Sequence, residues 1–393
     1  MSDGPLRILM VAARYLPDMG GIEMHIHEVS RRLAATGNFE ITVLATDRTR
    51  SRPRREVVEG VTVLRVPAWP RNRDYYLAPG IHGVVGQRGR WDIVHCQGIH
   101  TLVPVTAMLT ARRSAVPYMV TFHTGGHSLQ HRNALRAAQW RVLGPLLRRA
   151  AALVAVSRFE SDTLSQQAHL GDRKVVVIRN GGTLPSPPAG TEIIPGRIVS
   201  SGRLERYKGH HRVIEALPEV IGHNPDAHLV IIGHGPYEAE LRSLAERLGV
   251  TDRVTIKQLP IADREAMAVA LGEANVVAAL SDYEANPVAV MEALSVGRPV
   301  VGYDIAGIGE LVADGMVIGV TPGSPPSTVA KQLLEAMLAP PPTHVRASGT
   351  WDTVAEELGN LYLSTAGRAP MGERGVPSPA SPIHSGPARP SSE

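Results

Sequence analysis

With Cys96 as its only cysteine, the chain can close no disulfide within itself, and its 16 scattered histidines form no Cys/His cluster of zinc-ligand spacing. Both absences favour a reducing compartment, hence the cytoplasm. No uninterrupted apolar stretch approaches the roughly 20 residues that span a bilayer. Residues Met1 to Arg7 are polar and run straight into an apolar segment, without the layout of a signal peptide. The expectation is a soluble protein, with at most peripheral contact at the inner face of a membrane. Gly-x-Gly-x-x-Gly does not follow the first strand candidate, which argues against a dehydrogenase. Asp-x-Asp occurs nowhere, so no metal site is expected. Lysine is scarce as well: Lys174, Lys208, Lys257 and Lys331 are the only four. A sugar phosphorylase would need a cofactor lysine, and none of the four stands out for that role.

What is present fits two cores better than one. The chain has 393 residues, 43% of them hydrophobic. The net charge of +4 conceals an asymmetry. Residues 1–190 hold 25 Lys and Arg against 13 Asp and Glu, and residues 191–393 hold 16 against 24, which leaves +12 and −8. Such a basic half suits an anionic partner or simple solubility, with no sign of nucleic-acid binding.

Short β-branched runs alternate with longer amphipathic ones. Strands are expected at Leu6 to Ala12, Ile41 to Leu44, Val61 to Val66, Ile93 to His95, Tyr118 to Phe122, Leu153 to Val156 and Val175 to Ile178. A second series runs through Ile198 to Ser201, Leu229 to Ile232, Val254 to Ile256, Val276 to Leu280 and Val300 to Gly302. Glu23 to Ala35, Arg132 to Ala151 and Tyr237 to Leu248 have helical period. The alternation predicts an α/β chain of parallel, doubly wound sheets. Four prolines between Leu184 and Gly196 place a linker there, with domains at 1–187 and 188–350. Pro322 to Pro326 and Pro340 to Pro342 end the second pattern. A helix from Trp351, ending near residue 365, packs back on the first domain, and 366–393 reads as a disordered tail.

In open parallel sheets ligands bind beyond the carboxyl ends of the strands, so the residues just past each strand are the candidates. After the first comes Gly20-Gly21-Ile22-Glu23, whose free amides suit a phosphate, although the glycines would equally serve a tight turn. His123 ends the fifth strand candidate, as a structural or a chemical histidine. Beyond Ile198 to Ser201 stands Gly202-Arg203, with Lys208-Gly209 close behind. Arg203 supplies a fork-shaped donor and Lys208 a point charge for a diphosphate. Asn286 reads as the N-cap and Pro287 as the first residue of a helix, with amides free from Val288 onward. Glu284 and Glu292 flank that start; a carboxylate accepting two adjacent hydroxyls is a ribose or sugar clamp, so together they could hold both polar ends of a nucleotide sugar.

These pieces, with Val156-Ser157, Val177 to Gly181 and Gly233-x-Gly235-Pro236, occur in an order that resembles the retaining GT-B glycosyltransferases known as glycosyltransferase family 4, over roughly residues 6–365. The resemblance implies two facing Rossmann-like domains, with the acceptor held by the first and a nucleoside-diphosphate sugar by the second. That donor is a substrate; no cofactor is implied. The catalytic candidates it implies are His123, Arg203, Lys208 and Glu284. Donor binding falls to Gly20, Gly21, Gly202, Arg203, Lys208, Gly233, Glu284, Asn286, Pro287, Val288 and Glu292. Many members have Glu-Gly-Phe-Gly where this chain has Glu284-Ala285-Asn286-Pro287, and His234 replaces a common acidic residue. The acceptor is unidentified, and the basic first half suggests an anionic or lipid-linked one. A nucleotide-sugar-binding protein without catalysis is the alternative.

Overall fold

The computed structural model describes residues 4–18, 20–71, 76–124, 140, 143–260, 263–339 and 349–371. Two sheets carry the chain. The first is built from β1 (Leu6–Val11), β2 (Phe39–Asp47), β3 (Arg55–Val58), β4 (Val61–Pro67), β5 (Ile93–Gln97), β6 (Tyr118–Thr121), β7 (Ala152–Ala155) and β8 (Val176–Val177). Their order is β3-β4-β2-β1-β5-β6-β7-β8, parallel throughout except for β3, which pairs antiparallel with β4. The second sheet is wholly parallel: β9 (Arg197–Ser201), β10 (His228–Ile232), β11 (Val254–Lys257), β12 (Val276–Ala279), β13 (Val300–Tyr303) and β14 (Ile318–Val320), ordered β11-β10-β9-β12-β13-β14. Winding outward in both directions from β9 and β12 opens a crevice between them at their carboxyl ends; β1 and β5 do the same in the first sheet. Strands buried on both faces explain the continuous apolar runs of β1 and β12.

The helices are α1 (Gly21–Ala35), α2 (Gly80–Val85), α3 (Leu102–Arg113), α4 (Arg158–Gln167), α5 (His210–His223), α6 (Glu238–Arg247), α7 (Arg264–Gly272), α8 (Val288–Ser295), α9 (Ala306–Ala313), α10 (Pro326–Leu338) and α11 (Trp351–Thr365). Sequence periodicity missed β3 and β14, which are short. It also passed over α10, because a proline cluster reads as a break. Pro326 sits in the first turn of α10, where its missing N–H is no loss, and Val329, Ala330, Leu333 and Ala336 complete the second core.

Residues 181–196 contain neither helix nor strand. The chain then returns: α11 buries Trp351, Val354, Leu358 and Tyr362 in one cluster with Ile8, Ile26 and Leu33 of the first sheet's layer. Arg32 of α1 fastens to Asp352 at 2.6 Å. The segment Arg132 to Ala151 lies partly outside the described residues. Within the described part, Leu143, Leu146 and Leu147 are buried in the first core and Trp140 packs against it, so these apolar side chains are committed inward.

Candidate functional site

At the carboxyl end of β9 the chain passes through Gly202 and Arg203 into a single tight turn, Arg206–Lys208. Gly209 follows with φ +75°, and a Cβ there would stand 1.9 Å from the Leu280 carbonyl oxygen. Only glycine allows that approach, which brings Lys208 against the loop after β12. Gly233 does the same for the loop after β10: a Cβ would stand 1.9 Å from the Gly202 carbonyl oxygen.

The consequence is an ion pair at the mouth of the crevice. Lys208 Nζ donates to Glu284 Oε1, and the Ser281 hydroxyl donates to the same oxygen at 3.1 Å. Burial works against the Lys208 charge, but Glu284 outweighs it and the lysine pKa is raised. Arg203 lies beside the pair, more than half exposed, hydrogen-bonded to the Tyr207 hydroxyl at 3.1 Å and ion-paired with Glu205 at 2.8 Å. Two cations and a carboxylate therefore occupy the crevice between β9 and β12.

Helix α8 departs from the expected cap. Pro287, with ψ 119°, is the N-cap, and Val288 is the first helical residue. Asn286 is turned away from the helix. Its Oδ1 accepts from the Asn180 amide at 2.9 Å, and its carbonyl oxygen accepts from Asn180 Nδ2 at 2.8 Å. The competing partner is thus the chain end leaving the first domain, which takes both acceptors that a cap would use. Without a side-chain cap, the first amides of α8 remain available. Across the interface α1 begins at Gly21 with Gly20 as an equally uncapped N-cap. A methyl group on Gly21 would lie 3.9 Å from Val288 Cγ2, so the two helix starts face each other.

Glu292, one turn into α8, is buried and does not join the Lys208 pair. It accepts from Arg264 Nη2, at the start of α7. Burial raises its pKa and Arg264 opposes the rise. Sequence reading missed Arg264, although it lies where the strand-end rule points, beyond β11.

In the first domain His123 has φ +49° and is almost wholly buried, with Nε2 2.9 Å from Gln97 Oε1 and its ring edge-on to His25 at 4.6 Å. Burial, then His25 and His95, pushes its pKa well below the ordinary range. The next residue reaches the second domain: Thr124 Oγ1 lies 2.9 Å from the Tyr283 hydroxyl, adjacent to Glu284. Glu160, also missed by sequence reading, anchors Thr124 by accepting its amide at 2.5 Å and hydroxyl at 2.6 Å, and the Val156 amide at 2.8 Å. Ser157 caps α4 as the source of that geometry, accepting from the Glu160 amide. Arg158 and Arg179 bind Glu310 of α9 and its C-cap Asp314, and hold the domains together on this side.

The residues after β9, β10 and β12 therefore converge as one group, Gly21 and Thr124, next to His123, meet it from the other domain, and Glu292 pairs separately with Arg264. Residues 195–347 match the family model described as "Glycosyl transferases group 1", and residues 19–182 match "Glycosyltransferase Family 4". The chain is a family 4 glycosyltransferase. The transferase is 29% identical to the glycogen synthase of Mycobacterium tuberculosis H37Rv, over 96% of this chain and 98% of that protein. It is 28% identical to the D-inositol 3-phosphate glycosyltransferase of Nocardiopsis dassonvillei, over 90% of this chain and 91% of that one. Among solved structures, HepE of Anabaena in complex with UDP and glucose superposes with a TM-score of 0.65 at 18% identity, covering 92% of this chain and 97% of that chain. The fold is GT-B. No described helix of the transferase is long and apolar enough to cross a membrane.

Buried histidines set its acid sensitivity. Burial lowers His25 to about 4 and His95 to about 3, from an ordinary 6.5. Both rings stay neutral when folded but bind protons when unfolded. Their contribution to stability is full above pH 6.5 and is lost as pH falls through that value toward about 4 for His25 and about 3 for His95. Thermal melts should show Tm falling across this window; a level Tm would contradict it.

Proposed function

We propose that the transferase moves a sugar from a nucleoside-diphosphate sugar to its acceptor with retention of anomeric configuration. The observation that carries this reading is the Lys208–Glu284 pair in the crevice between β9 and β12, with Gly21 and Thr124, the neighbour of His123, reaching the second domain beside it. A diphosphate entering there meets Lys208, Arg203 and the open amides of α8. Lys208 then exchanges Glu284 for phosphate, and the released carboxylate can accept sugar hydroxyls. The nucleoside ribose takes Glu292 after displacing Arg264. Negative charge grows on the leaving diphosphate during transfer, where the two cations stabilise it most.

Glu160 is a carboxylate in direct contact with the His123 turn, through Thr124, and its oxygens are already taken by three donors. It is poorly suited to act as a covalent nucleophile. That favours departure and attack on the same face, with the leaving phosphate accepting the acceptor's proton. The test is a thermal-shift and transfer panel of UDP, GDP, TDP and ADP sugars, with the product anomer read by NMR. One donor class should raise Tm and yield the retained anomer. An inverted product, or binding without transfer or hydrolysis, would reject the reading. Transfer should also persist in chelator, since Arg203, Lys208 and helix amides supply the positive field; loss restored by magnesium or manganese would refute this.

For the acceptor, we propose a negatively charged or lipid-linked molecule, reached from the cytoplasm with peripheral contact at the membrane. Arg48, Arg50, Arg52, Arg54 and Arg55 read from the sequence as one basic loop that could meet such an acceptor, and the structure divides them. Arg52 is tied to Asp18 at 2.8 Å, beside the Gly20-Gly21 turn, and Arg55 opens β3. Arg50 and Arg54 remain exposed on the strand-end side of the first domain. Arg50→Gln with Arg54→Gln should raise the acceptor KM and weaken its salt dependence. Unchanged acceptor kinetics at all salt concentrations would remove the proposal and leave the transferase assignment intact.

A further inference from the structure

Alternation along a strand puts His95 and Gln97 of β5 on one face of the sheet, and parallel pairing of Gln97 with Thr121 brings Thr121 and then His123 to the same face. Helix α11 covers it. A continuous chain of contacts results, every member buried: Tyr362 Oη to His95 Nδ1 at 2.6 Å, His95 Nδ1 to Gln97 Nε2 at 3.2 Å, and Gln97 Oε1 to His123 Nε2 at 2.9 Å. His95 Nε2 meets Thr121 Oγ1 at 2.8 Å.

Proton positions follow from what each atom can do. O–H donors make shorter bonds than N–H donors, so the 2.6 Å contact fits a phenol donating to a bare His95 Nδ1. That leaves the His95 proton on Nε2, donating to Thr121. A carboxamide nitrogen only donates, which suits the same bare Nδ1. The amide oxygen, which only accepts, is then turned toward His123. We infer that Gln97 is the positioning residue of His123: oriented by His95 and Tyr362, it keeps the His123 proton on Nε2 and leaves Nδ1 as the ring's only acceptor. Nδ1 makes no hydrogen bond with any described residue. Burial keeps the ring neutral, so that acceptor persists at neutral pH. Its use, accepting a hydroxyl of the donor sugar, rests on the function proposed above.

The experiment is long-range proton–nitrogen NMR of the full chain labelled with 15N-histidine, peaks being assigned with His95→Gln and His123→Gln. Wild type should show a protonated Nε2 and a bare Nδ1 for both His95 and His123. Gln97→Met should let the His123 proton redistribute and lower donor kcat/KM about tenfold, the scale of one hydrogen bond. Tyr362→Phe, a smaller change, should shift the His95 nitrogens first. A wild-type His123 with its proton on Nδ1, or a tautomer unchanged in Gln97→Met, overturns the inference. No substrate is needed for the spectrum. The expected tautomer in a protein that transfers no sugar would therefore sink the proposed function, and the opposite tautomer in an active one would sink this inference alone.

Discussion

Arg203→Ala should lower kcat about a hundredfold or more with Tm nearly unchanged, whereas Lys208→Ala should lose comparable turnover and stability as well. The common loss is transition-state stabilisation of the leaving diphosphate, about 3 kcal/mol for one strong contact. The difference lies in the surroundings. Arg203 has 57% of its side chain exposed, so its pair with Glu205 is screened by solvent and contributes little to stability. Lys208 and Glu284 are only 18% and 14% exposed, so deleting the lysine strands a carboxylate that Ser281 satisfies in part. Adding Glu284→Gln to Lys208→Ala should recover Tm without recovering kcat. The measurement is turnover at saturating donor beside a thermal melt. Near-wild-type turnover in both single variants would defeat the assignment of the two cations.

Glu292→Ala should weaken nucleoside diphosphate binding about ten- to hundredfold, the range for one or two hydrogen bonds to a charged group. Glu284→Ala should leave that affinity close to wild type and reduce transfer. The basis is geometry: Glu292 pairs with Arg264, and Lys208 pairs with Glu284 instead. A ribose that takes Glu292 must first displace the guanidinium, which is 21% exposed and able to turn outward. Arg264→Ala removes that competitor but leaves a buried carboxylate whose pKa burial already raises. Its effect on affinity should therefore depend on pH, strengthening binding where Glu292 is ionised. Calorimetry with UDP and GDP separates these cases; equal losses for both glutamate variants would show the two subsites to be one.

Much of this was legible because periodicity and strand-end positions are local. Twelve apolar runs predicted strands, and twelve of the fourteen strands lie on them, with ends that differ by a residue or two in most cases. β3 was lost because only tertiary pairing with β4 makes a four-residue segment a strand. Helix α10 was lost because proline signals a stop or a start with the same residue. At the site, Lys208 and Glu284 could be named from their loops, but their contact depends on Gly209 approaching Leu280 across the sheet.

The sequence by itself determined two doubly wound layers, the family and the loops proposed to carry the chemistry, because those follow from alternation and spacing within short stretches of chain. Only the tertiary structure decided which side chains answer each other. Asn286 was read as a cap because its neighbours are helical, but the fold offers it Asn180 instead. Arg264 became the partner of Glu292, and Gln97 the partner of His123, through distances that no local pattern encodes. Hydrogen-bond choice in a buried site is set by whichever partner lies within about 3 Å after packing, and packing joins residues far apart in the chain.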